Sequence, residues 1–131
     1  MSFNKDIEAF KNKAEKAASA IVRGSFLAIV GKIIVRTPVD TGRLRGNWIT
    51  TVNNPSTRQL SDKDKSGRKA VGFAKETSKA FKLGESLFMV NNLPYVGPIE
   101  NGSSQQAPSG MVKVSILGLQ GVVSALARKN R

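Results

Sequence analysis

The sequence predicts an α+β fold: a long N-terminal helix packed on a small, mainly antiparallel β-sheet, with a C-terminal helix and an extended polar loop. Three observations carry this reading. Phe3, Ile7, Phe10, Ala14, Ala17, Ile21, Gly24, Ala28, Gly31 and Val35 recur at alternating four- and three-residue steps, the period of one helix face. Leu44 to Val52 and Ser86 to Val90 have the apolar and β-branched composition of strands, and the second is expected to be buried. From Met111 to Arg128 the residues Met111, Val114, Leu117 or Gly118, Leu119, Val122 and Leu126 return to helical spacing as an apolar stripe, and the last turn is cationic, as suits a negative helix end.

Each element follows from local chemistry. The first helix spans residues 3–35 and stops at Thr37-Pro38, because the residue before a proline is driven from helical angles. At about 1.5 Å per residue it reaches roughly 50 Å, more than a domain of this size needs, so residues 1–20 are expected to protrude. Its seam tapers from phenylalanine to glycine, and Gly24 and Gly31 leave room for a neighbouring backbone. Asp40-Thr41-Gly42 supplies a turn. Residues 53–69 are polar and are expected to form an exposed loop or arm, and removal of Ser61 to Lys69 is expected to spare the fold. Ala70 to Leu83 reads as a short helix ending at Gly84.

At 131 residues the chain is expected to form a single domain. It has no cysteine and no histidine, which removes thiol chemistry, imidazole proton transfer and zinc-finger spacing. Carboxylates such as Asp40, Glu85 and Glu100 show no paired spacing, so no enzyme and no cofactor is expected. The first residues lack the charged-then-apolar order of a signal peptide, and Ile21 to Val35 is interrupted by Arg23 and Lys32. Cytoplasmic synthesis without a membrane is the expectation. Lysine and arginine number 21 against 9 acids, a formal charge of +12, which favours polyanionic surroundings. The cations are spread along the chain, not gathered on one helix.

The segment Asn91 to Met111 contains three prolines and three glycines together with Tyr95, Ile99 and Met111. It reads as an ordered, non-helical loop between a strand and the last helix. Tyr95 is expected to pack on the sheet with its hydroxyl satisfied. Arg43 and Arg45 fall on one side of an extended segment, in reach of Glu100 or of a neighbouring subunit. Glu100 to Gln106 are expected to project toward that neighbour.

Thr37-Pro38-Val39-Asp40-Thr41-Gly42-Arg43-Leu44-Arg45, followed by Asn91 to Met111 with its Pro-Tyr, Glu-Asn-Gly, Ser-Ser and Gln-Ala-Pro elements, resembles the small neck or tail-completion proteins of long-tailed bacteriophages. The resemblance covers roughly residues 20 to 125 and rests on the order of the two motifs. It implies a non-enzymatic virion component, assembled in the host cytoplasm at the head–tail interface. Its partners would be itself as a homo-oligomeric ring, a hexamer in the leading expectation, neighbouring head-connector and tail-tube or tail-terminator proteins, and passing genomic DNA. Phe3, Ile7, Phe10, Arg43, Arg45, Tyr95, Glu100, Gln105 and Gln106 are the candidate interface residues. Arg58, Lys63, Lys65, Arg68 and Lys69 are the candidates to line a DNA channel, where phosphate contacts carry no sequence information. The alternative is a small basic nucleic-acid-binding protein without sequence-specific readout. It lacks helix-turn-helix spacing and paired base-stacking aromatics.

Overall fold

The structure, a computed structural model, describes residues 3–131. Helix α1, Phe3–Arg36, is followed by the helical turn α2, Arg43–Gly46, and strand β1, Ile49–Val52. Helix α3, Arg68–Lys79, leads to strand β2, Leu87–Val90. Three short helices complete the chain: α4, Val96–Glu100; α5, Val112–Ile116; and α6, Leu119–Lys129. The architecture is α+β, with the long helix packed on a two-stranded antiparallel sheet and a C-terminal helix alongside. β1 and β2 pair from Ile49 opposite Val90 to Val52 opposite Leu87. An isolated hairpin of this size is marginal in water, so its stability has to come from packing. α3 supplies that packing, lying against both β1 and α1.

The core collects Val30, Ile33 and Ile34 of α1, Leu44, Trp48, Ala70, Ala74, Leu93, Ala107 and Met111. Only the second half of α1 contributes; residues 3–16 are exposed. By length and composition α1 is long and apolar enough to cross a membrane, but its second half carries α3, α5 and α6. Gly24 accommodates Leu126 of α6, where an added Cβ would stand 2.9 Å from Cδ1. Gly31 has open space above it.

Four expectations are corrected. Leu44 to Val52 is not one strand: the Gly46 N–H donates to the Gly42 carbonyl at 3.0 Å, winding Arg43–Gly46 into a helical turn before β1 begins. Residues 91–111 are not wholly non-helical, since Val96–Glu100 is helical. The last helix is divided at Leu117-Gly118, where Gly118 passes close to Lys32. β2 is half-buried instead of buried.

Residues 53–69 form a mostly exposed loop, as expected, but their backbone is tied down as a strap. Asn47, fully buried, grips it: its amide donates to the Leu60 carbonyl at 2.9 Å and its oxygen accepts the Leu60 N–H at 2.7 Å. Asn92 donates to the carbonyls of Ser56 and Arg58 at 2.8 and 2.9 Å. The Asp64 N–H reaches the Gly42 carbonyl at 3.0 Å, and the Asp64 carboxylate accepts the Ala70 N–H at 3.0 Å. Gly67 is buried at φ +78°, and a Cβ there would run into the Ile34 side chain. The side chains face mostly solvent, as polar composition suggests, while Asn47 and Asn92 from outside the segment satisfy its backbone.

Gly67→Ala should therefore lower stability by about 2 kcal/mol or more, combining a left-handed backbone with a steric collision. Chemical denaturation checks it; a shift below about 0.5 kcal/mol would contradict the packing described. Deletion of residues 61–69 should unfold the protein in circular dichroism, opposite to the expectation from composition.

Candidate assembly cleft

The two motif segments meet at the C-terminal end of α1. A helix end leaves carbonyls without intrahelical donors, and here side chains supply them. Buried Thr37 donates its hydroxyl to the Ile33 carbonyl at 2.7 Å and accepts the Trp48 indole N–H at 2.8 Å. Arg45 spreads its guanidinium across three carbonyls: Nε to Thr37 at 2.9 Å, Nη2 to Val35 at 2.8 Å and Nη1 to Lys65 at 2.8 Å. The cation thus sits at the negative end of α1 and holds the strap at the same point. Gly42, at φ +91°, is closed over by the strap; an added Cβ would lie 2.6 Å from the Lys65 nitrogen.

Glu100 closes the other segment. Its carboxylate accepts the N–H groups of Met111 at 2.9 Å, Val112 at 2.8 Å and Lys113 at 3.0 Å, capping the start of α5. Burial pushes its pKa up, but the hydrogen bonds from Val112, Lys113 and Met111 and the Lys113 charge outweigh that, leaving it below the ordinary value. Gly102 and Gly110 turn this loop at φ +92° and +84°.

Gln106 joins the segments. Its side-chain oxygen accepts the Val39 N–H at 2.9 Å and its amide donates to the Val39 carbonyl at 3.3 Å, an arrangement like one rung of a sheet. Between them opens a cleft of about 470 Å³, walled by Val39, Leu44 and Ile99, with Asp40, Arg43 and Tyr95 among its polar groups. Tyr95 is 40 % exposed, and its hydroxyl has no hydrogen-bond partner among the described residues. This overturns its expected place on the sheet, because the helical turn at Val96 carries the ring to the cleft wall. Arg43 has no ion pair among the described residues.

Of the predicted interface residues, Arg43, Tyr95 and Gln106 line this cleft. Arg45 and Glu100 do not meet each other or project outward; each caps a helix end. Gln106 is committed to Val39, while Gln105 stays exposed. Phe3, Ile7 and Phe10 lie on the protruding part of α1, with Phe3 76 % and Phe10 74 % exposed. Among the channel candidates, Lys69 pairs with Asp62 at 2.7 Å, whereas Arg58, Lys63, Lys65 and Arg68 have exposed side chains without ion pairs among the described residues. Arg68 and Lys69 open α3 instead of ending a loop. The sequence reading missed Asn47, buried beside Trp48, and Arg23, which donates to the Ser78 and Phe81 carbonyls at 3.0 and 2.5 Å and so caps α3.

Comparison with protein-family models, curated proteins and solved structures returns no match.

Glu100→Gln should cost about 1 kcal/mol at neutral pH, the usual worth of a helix cap. Because the folded pKa lies below the ordinary value of 4.5, the charged cap stabilises above that value, and its contribution fades as pH falls through the folded pKa. Denaturation curves of the two proteins should converge in acid; a difference independent of pH would contradict the cap.

Proposed function

We propose that the chain is a non-enzymatic structural subunit of a tailed-phage virion, placed at the head–tail joint as a neck or tail-completion protein. The observation that carries this reading is the Gln106–Val39 link: the two segments on which the resemblance rests, 67 residues apart at these points, form one cleft. Thr37, Arg45 and Glu100 fix the two segments through the helix ends they cap, Arg43 and Tyr95 on the cleft lining remain for contact, and Gln105 is exposed outside it. An assembly surface needs shape of this kind more than reactive groups.

In the proposed ring, taken as hexameric, the cleft meets a neighbouring subunit or an adjoining head-connector, tail-tube or tail-terminator protein. Closed rings arise when a heterologous contact repeats through a rotation that closes. The formal charge of +12 suits a passage for DNA, and Arg58, Lys63, Lys65 and Arg68 are the cations left to touch phosphate weakly. A stand-alone nucleic-acid binder has no observation in its favour beyond that charge.

Electron microscopy of particles made without the protein tests the placement: DNA-filled heads and finished, unattached tails are expected. Intact particles, or a protein absent from virions yet bound tightly to DNA, would sink it. Tyr95→Ala and Arg43→Glu, both at the cleft, should leave the folded spectrum unchanged and reduce joining of heads to tails.

A further inference from the structure

The protruding part of α1 keeps one face without a partner. Phe3, Ile7, Phe10, Ala14 and Ala17 lie along it; the first four are exposed and Ala17 is half-buried. In heptad terms Phe3, Phe10 and Ala17 take the d positions and Ile7 and Ala14 the a positions. Two acids, Asp6 and Glu8, and Lys13 are on this arm and have no ion pair among the described residues; Lys11 is already paired with Glu15 at 3.9 Å.

We propose that this face binds the same face of a second copy of the chain, with the two arms antiparallel. One register satisfies shape and charge together. When Ile7 faces Phe10 of the second copy, Phe3 faces Ala14, so each end layer sets a large side chain against a small one, and two-fold symmetry repeats both layers. Asp6 and Lys13 each precede an a position and share one shoulder of the seam. Antiparallel packing sets that shoulder against its counterpart, bringing Asp6 to Lys13 of the second copy and Lys13 to its Asp6.

A parallel pair is the competing arrangement, and it too offers an ion pair, Asp6 with Lys11. It stacks Phe3 on Phe3 and Phe10 on Phe10, however, and sets the two bodies side by side. The arm carries four lysines against three acids, so nearly all of the +12 resides in the body. Antiparallel arms hold those bodies at opposite ends, beyond the ~10 Å over which charges interact strongly in salt. The contact is isologous and closes on itself. It is independent of the head–tail reading, whose ring contact is assigned to the cleft.

Two heptads make a small interface, so sedimentation velocity between about 10 and 300 µM should show a monomer–dimer equilibrium with a micromolar dissociation constant. Phe10→Ser should weaken it by about tenfold or more. Asp6→Lys and Lys13→Asp should each weaken it, and the double variant should restore it, because the swap rebuilds both ion pairs. The natural chain has no cysteine. A mixture of Ile7→Cys and Phe10→Cys proteins should therefore form the mixed disulfide faster than either like pair, a readout that holds inside larger oligomers. Faster 7-to-7 and 10-to-10 bonds would establish the parallel pair and overturn the proposal. So would a protein monomeric throughout that range, or one that stays monomeric while its arm binds vesicles of anionic phospholipid.

Discussion

The end of α1 has to be closed inside the protein, and most of the tertiary structure is arranged around that requirement. Free carbonyls at a half-buried helix terminus are costly unless donors reach them. Thr37 and Arg45 reach them, and neither acts locally alone. Thr37 ties the helix end to Trp48 and so to the start of β1, while Arg45 adds the strap at Lys65. One cation thus organises α1, the turn after it and a segment 20 residues away.

The same device recurs. Arg23 closes α3 from the middle of α1, and Glu100 closes the start of α5 across the Pro-Gly loop. With a sheet of only two strands, the fold relies on long-range side-chain-to-backbone hydrogen bonds where a larger protein would use more strands. Buried Asn47 belongs to this group, since both ends of its amide are engaged with the strap or the turn. Such groups stabilise chiefly because leaving their partners unpaired would be expensive.

This economy separates body from arm. The body ties four of its carboxylates, Asp62, Asp64, Glu85 and Glu100, to its own backbone or cations. The arm leaves its seam exposed from Phe3 to Ala14. The 34-residue helix leaves the apolar side chains Phe3, Ile7 and Phe10 exposed at one end, and the cleft lies at its opposite end; these are the two surfaces proposed for association.

The sequence by itself determined the long helix, its stop at Thr37-Pro38, the turn at Asp40-Thr41-Gly42, the strand at Leu87–Val90 and the α+β class. These depend on period, proline sterics and positive φ, which are local. It also marked both segments that line the cleft. Only the tertiary structure decided what their residues do: Arg45 and Glu100 read as outward contacts because a charged side chain carries no mark of the distant carbonyl or N–H it will meet. The strap was legible as an exposed loop, but not its anchoring, since nothing in its own composition marks the Asn47 and Asn92 amides that hold its backbone. The joining of Val39 to Gln106 lay beyond any local signal, being a contact that exists only once α1, α4 and α5 are packed.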